Sequence, residues 1–201
     1  MKASPTLLCI PDISGFTKFM SEIDFELSSK VIPSLLNNII YSNEIGLRVS
    51  EIEGDAVLFY KTGELPSLSS LVNQCKFFYD EFYKQLNLLR ANYKNKDGAI
   101  LIPEILGLKI ILHYGKEIGV VPVGKRIKLI GEDVIVAHKL LKNNIKGDEY
   151  VLISKELLTQ YTPVTIENEF KKGVFHESDI DVEHMGKIPF NYIDLTTLHK
   201  N

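Results

Sequence analysis

Cysteine is scarce in this chain. The 201 residues include only Cys9 and Cys75, one in an apolar strand-like run and the other in a helix-like run. That excludes a disulfide framework or a cysteine-built zinc site, and it suits a reducing compartment. Positive charge is in short supply as well. Lys plus Arg number 23 against 26 Asp plus Glu, a formal net charge of −3, so the basic stripe that duplex nucleic acid or an anionic membrane requires is missing. Long apolar runs are lacking too: Leu106 to Leu112 is broken by Lys109, far short of the roughly 20 residues of a membrane span. The opening MKASPTLLCIPD has too short an apolar stretch for a signal peptide. A cytoplasmic chain that binds neither nucleic acid nor membrane is the expectation. No internal repeat or low-complexity segment appears, and 45% hydrophobic with 24% charged residues is an ordinary globular balance at one-domain length.

What is present is a regular alternation of element types. Thr6 to Ile10 is continuously apolar, as in a strand buried on both faces, and is expected to end at Pro11-Asp12. After Gly15, apolar residues at spacings of three and four predict two helices that meet near Ser28 to Pro33. Leu47 to Tyr60 reads as a hairpin with Gly54 and Asp55 at its tip. From Leu68 to Tyr93 a helical period holds for about seven turns. Residues 92–98 read as a loop, Leu106 to His113 as a strand ended by Tyr114-Gly115, and Gly119 to Gly124 as a second strand. A helix opens at Ile130-Gly131 and closes at Asn143-Asn144. Tyr150 to Ile153 is a strand, Ser154 a helix N-cap, and Ile180 to Leu195 a hairpin with Gly186 at the turn. This order fits an α+β fold of one mixed sheet with helices on one face.

Two acidic positions stand out. Asp12 lies in DISGFT, where a strand gives way to a helix whose free backbone amides suit a phosphate, while the carboxylate beside them can hold the accompanying metal. Taken alone, Asp-x-x-Gly is equally a common turn. Asp55 lies at a hairpin tip that could pair with the first strand. Two carboxylates brought together repel, and a hard divalent cation such as Mg2+ or Mn2+ relieves that repulsion. His113 and His138 read as packed or hydrogen-bonded histidines, and Lys171 with Lys172 as solvated loop charge.

Four segments together resemble the class III nucleotidyl (adenylyl and guanylyl) cyclase catalytic domain, as a divergent bacterial-type single-domain member. IPDISGFTKFM within Cys9 to Met20 resembles its opening motif, EIEGDAVLFY (Glu51 to Tyr60) its Gly-Asp hairpin, LKIILHYG (Leu108 to Gly115) its strand ending in His-x-Gly, and LIGEDVIVAHKL (Leu129 to Leu140) its donor helix. Val182 to Leu195 is similar to its closing hairpin. The resemblance implies one domain over residues 1–201, with a ferredoxin-like, cyclase-type mixed sheet over about 5–145 and a small C-terminal αβ extension over about 146–201. It also implies a homodimer with sites built across the two-fold interface, metal ligands from one subunit and helix donors from the other.

By the same resemblance, Asp12, Asp55 and the Ile13 carbonyl hold two Mg2+ or Mn2+ ions, and Gly15, Phe16 and Thr17 hold the phosphates of a nucleoside triphosphate. Lys187, in the closing turn, is a further phosphate contact. The implied reaction is attack of the ribose 3′-hydroxyl on the α-phosphate, which yields a cyclic nucleotide and pyrophosphate. Lys139 takes the place of the family's transition-state Arg and keeps the charge without the bidentate fork. Ile135 replaces an Asn that orients the ribose, and it has no hydrogen-bonding group. Glu51 stands at a base-reading position with Lys128 as its partner. A carboxylate there accepts from guanine N1 and N2 hydrogens but offers little to adenine, which points away from adenine. The alternative is a degenerate homologue that keeps the metal half of the site and serves as a nucleotide-sensing or dimerisation module. A third reading, a module that binds no nucleotide, requires Asp12 and Asp55 to be exposed turn residues facing apart.

Overall fold

Eleven residues, Ser4–Ser14, form strand β1 in the computed structural model, which describes residues 3–171 and 174–199. Lys172 lies outside the described residues. Alternation along β1 sends Leu7, Cys9 and Ile13 to one face of the sheet and Leu8 and Ile10 to the other, so both faces need cover. The strand does not stop at Pro11-Asp12. Its pairing with the following strand partner on one side runs unbroken from Thr6 to Ser14, while on the other side no pair forms at Ile10 or Pro11. Proline has no N–H to give a ladder, so one intact edge is what carries the strand through.

Helices α1 (Phe16–Glu22) and α2 (Phe25–Tyr41) follow. They meet at Ile23-Asp24, not near Ser28 to Pro33. The Asp24 carboxylate caps α2 by accepting from the Leu27 N–H at 2.9 Å, whereas Pro33 sits inside α2. The local cap outweighs the proline because α2 buries Leu27, Val31, Leu35 and Ile39 along one stripe. Strands β2 (Arg48–Glu53) and β3 (Ala56–Thr62) form the expected hairpin, and α3 (Leu68–Asn92) the expected long helix. The α3 residues Phe78, Phe82 and Leu86 are fully buried, each adding about 1.5–3 kcal/mol of burial free energy.

A short 3-10 turn at Ala99–Leu101 runs into α4 (Ile102–Ile105) and then β4 (Gly107–Val123). Here two expected strands are one, and β4 passes straight through Tyr114-Gly115. Gly115 is not a turn residue. A side chain there would meet Asp133 Cβ at 2.5 Å, so the glycine lets a helix lie close against the strand. Beyond it, β4 pairs with β5 (Arg126–Ile130), a strand the sequence pattern did not suggest. Then come α5 (Glu132–Leu140), β6 (Tyr150–Ser154), α6 (Lys155–Leu158), α7 (Pro163–Phe170), β7 (His176–Val182), β8 (Gly186–Asp194) and α8 (Leu195–His199).

The sheet order is β2-β3-β1-β4-β6-β8-β7, with β5 paired to the far end of β4. The first four strands in this order, with α2 and α3 as crossovers, make a ferredoxin-like unit. The parallel pair β4–β6 attaches the C-terminal strands to the same sheet. Helices do not cover one face only. Residues of α1 to α4 and of α6 to α8 share one core with Leu7, Cys9 and Ile110, while α5 packs Val134, Ala137 and Leu140 against Leu8, Ile10 and Ile111 on the other. Because Gly115 sets the approach of α5, Gly115→Ala should destabilise the fold by about 1–3 kcal/mol, measured by urea unfolding.

Candidate functional site

Strand pairing places the two acidic positions. Asp12 is opposite Ala56 in the β1–β3 ladder, and Asp55 immediately precedes Ala56 at the hairpin tip. The Ile13 N–H donates to the Asp55 carbonyl at 3.1 Å, which ties the tip down beside the end of β1. Gly54 takes the left-handed conformation (φ 61°) that lets the turn close. Two carboxylates 43 positions apart in the chain are therefore brought together at one end of the β1–β3 pair.

Asp12 is only 7% exposed. Its Oδ2 accepts from Lys109 Nζ at 3.0 Å, and its Oδ1 is buried with no hydrogen-bond partner. Burial and the neighbouring Asp12 charge raise the Asp55 carboxyl to about 6. Burial alone would lower the Lys109 ammonium, but Asp12 outweighs it and holds the group above its ordinary range. One lysine thus faces two carboxylates, and one buried oxygen stays free. Two carboxylates with a buried free oxygen are a donor set that suits a hard divalent cation. Lys109 escaped the sequence reading. Its only signal there is a single charge inside an apolar strand, LKIILHYG.

Gly15, Phe16 and Thr17 lie next to Asp12 at the start of α1. Gly15 has φ 77°, and a Cβ there would come within 2.0 Å of the Ile105 carbonyl oxygen, so no other residue fits this bend. Glu51 and Lys128 are brought together from β2 and β5, with Lys128 Nζ donating to Glu51 Oε2 at 2.7 Å. They line a cleft of about 630 Å³ with Val49, Ile52, Val123 and Ile127. Lys139 and Lys187 share another cleft, of about 590 Å³, between the end of α5 and the β7–β8 hairpin. Ile135 is half-exposed on α5. Among the described residues, no hydrogen bond or ion pair links these three groups to one another within the chain.

His113 is 1% exposed. Its Nδ1 lies 2.9 Å from Ser154 Oγ and its Nε2 3.4 Å from Asp133 Oδ1, so it ties β4 to the end of β6 and to α5. The His113 hydrogen bond holds the Asp133 carboxyl below the usual carboxylate range. His138 is different: its Nδ1 lies 3.7 Å from Glu53 Oε2.

Residues 32–150 match the family described as "Protein of unknown function (DUF2652)". An uncharacterised protein of Mycobacterium tuberculosis is 24% identical over 163 residues, covering 81% of this chain and 73% of that protein. Among solved structures, the adenylyl cyclase CyaB from P. aeruginosa superimposes with a TM-score of 0.66 at 16% identity, over 96% of this chain and 94% of that one. The guanylate cyclase domain of RhGC from Catenaria anguillulae, solved in complex with GTP, gives 0.61 at 18% identity over 96% and 97%. The non-canonical dimeric guanylyl cyclase domain of RhoGC from Blastocladiella emersonii gives 0.59 at 18% over 96% and 97%. At these identities the likeness is one of fold, and the fold is that of nucleotidyl cyclase domains.

The carboxylate pair carries a pH signature. An acid whose folded pKa is raised costs stability: nothing below about 3.8, increasingly from there to about 6, and in full above. Asp55→Asn removes that cost. Allowing for solvent screening of a half-buried group, it should stabilise the chain at pH 7.5 by roughly 1 kcal/mol, with the gain shrinking as pH falls from 6 toward 4. Thermal unfolding of both proteins across that range is the measurement.

Proposed function

The chain belongs to the DUF2652 family, and we propose that it is a class III nucleotidyl cyclase-like protein that binds a nucleoside triphosphate with Mg2+ or Mn2+. One observation carries this reading: β1–β3 pairing presses Asp12 and Asp55 together, with a buried Asp12 oxygen left unpartnered. A plain scaffold has no use for two carboxylates that repel each other. The same observation argues against a module that binds no nucleotide, since that requires the two side chains to be exposed and apart.

Asp12, Asp55 and the Ile13 carbonyl hold the two ions. When bound, these ions lower the pKa of the ribose 3′-hydroxyl and neutralise the triphosphate. Gly15, Phe16 and Thr17 offer phosphate contacts at the start of α1. Lys109, bonded to Asp12 in the free protein, is released as a phosphate partner once the carboxylates have another cation. Lys139 and Lys187, together in one cleft, meet the leaving phosphates. Glu51 accepts from a base edge and Lys128 donates to a base carbonyl, a pairing that favours a base other than adenine.

A homodimer belongs to the same proposal. The metal-binding carboxylates and the Lys139 cleft complete one site when they come from different subunits. Val49, Ile52, Val123, Ile127, Ile130 and Ile135 are all more than a third exposed, an apolar surface on β2, the β4–β5 arm and α5 that a second subunit would cover. The cytoplasm supplies both triphosphate and Mg2+, and among the described residues no helix is long and apolar enough to cross a membrane.

A second reading, a nucleotide-sensing or dimerisation module, is favoured by Ile135 and by the Glu51–Lys128 pair, which satisfies itself in the absence of a base. Incubation with Mn2+ and each of the four ribonucleoside triphosphates, followed by mass spectrometry, separates the two. A 3′,5′-cyclic nucleotide that vanishes with Asp55→Ala is expected. Restoring the missing donors with Ile135→Asn/Lys139→Arg should then raise its rate by roughly a hundredfold. No product but Mn2+-dependent triphosphate binding supports the sensor, and no binding at all overturns both.

A further inference from the structure

Among the described residues, one cluster outside the carboxylate pair has the composition of a metal site. Glu51 and Glu53 are two residues apart on β2 and so point to the same face of the strand. His138 reaches them from α5. One ligand atom from each of the three lies within 4.8 Å of the others, and His138 Nδ1 is 3.7 Å from Glu53 Oε2. A metal with bonds of about 2.1 Å spans donors about 3.0–4.2 Å apart, so the cluster needs only small side-chain rotations to close. Glu53 and His138 are at the surface and free to make them: their side chains are 52% and 32% exposed.

The state of Glu51 supplies an independent indication. Lys128 donates to Oε2 at 2.7 Å, while Oε1 is buried with no partner. A buried carboxylate oxygen normally finds a donor. Here Lys128 fixes the carboxylate through one oxygen and leaves the other for a cation, which is how outer hydrogen bonds orient metal ligands.

We infer that Glu51, Glu53 and His138 form a site for a borderline divalent metal of the zinc type, with water completing the coordination. One imidazole nitrogen and two carboxylate oxygens make a three-ligand set with an open position, and the imidazole favours a borderline metal over a hard one. Mg2+ prefers an all-oxygen octahedron, so this site and the Asp12–Asp55 pair are chemically distinct. The site needs no nucleotide, and it stands whether or not the chain is a cyclase. Its occupancy would pin β2 to α5 and hold Glu51 away from any other ligand.

Calorimetric titration of the full chain with Zn2+ in excess Mg2+ tests it, the Mg2+ masking the carboxylate pair. One zinc ion per chain is expected. His138→Ala and Glu53→Gln should each weaken it by roughly tenfold or more, while Asp55→Asn should change it less than about twofold. His138→Gln keeps most of the side-chain volume and gives the same answer should the alanine variant unfold. Substituted Co2+ should show a visible absorption band that shifts in the His138 variants. No saturable zinc binding by the unaltered chain, or binding by the His138 variants equal to it, overturns the inference.

Discussion

Two carboxylates held side by side by backbone pairing are the constraint around which the rest of the molecule is arranged. Asp12 sits at the buried end of a central strand and Asp55 at the tip of a hairpin hydrogen-bonded to it. Neither can move off without breaking a ladder. Their repulsion is partly offset in the free protein by the Lys109 ammonium, while burial first, and the Asp12 charge second, keep the Asp55 carboxyl raised. A fold tolerates such a charge arrangement only when the surrounding core is large enough to over-determine it. That core is present on both faces of β1, where Leu7, Leu8, Cys9, Ile10 and Ile13 are at most 1% exposed.

The two-faced sheet also explains how the groups of the candidate site are distributed. Cover on one side comes from α1 to α4 and α6 to α8, mainly through hydrophobic burial. On the other side, among the described residues, a single helix, α5, lies on the sheet, held close by Gly115 and by the His113–Asp133 bond. With only one helix there, the hairpin tip, the β4–β5 arm and the exposed side of α5 stay open. Charged groups pair at that surface: Glu51 with Lys128 and Glu53 with His138. The polar chemistry and the exposed apolar residues share one surface for the same reason.

Much of this was legible in advance. The long period of α3, the Gly-Asp hairpin and the Ser154 cap rest on local signals that the fold has no cause to override. The errors fell where a long-range contact decides. Pro11 looks like a strand end because its missing N–H is visible in sequence, but the unbroken partner on its other edge is not. Gly115 looks like a turn, although its absent side chain serves a helix 17 residues further along the chain. Pro33 looks like a helix boundary, yet the buried stripe of α2 carries the helix across it.

For the site, residue types and order were enough to single out Asp12 and Asp55, because strand-then-turn patterns constrain where acidic groups can meet a helix start, whereas Glu51 and Lys128 stood out only through the resemblance to the cyclase motifs. Neither source could show that Lys109 is the counter-charge of Asp12, that Glu51 and Lys128 satisfy each other, or that His138 reaches Glu53. Each of these is a distance between side chains on different elements, set by strand register and by the closeness of α5. The sequence by itself determined most of the elements, though not all their ends, and the chemistry available, since both depend largely on near neighbours and side-chain type. Which charges face one another was decided only in the tertiary structure, because a Coulomb interaction depends on separation in space and on burial, and neither is written along the chain.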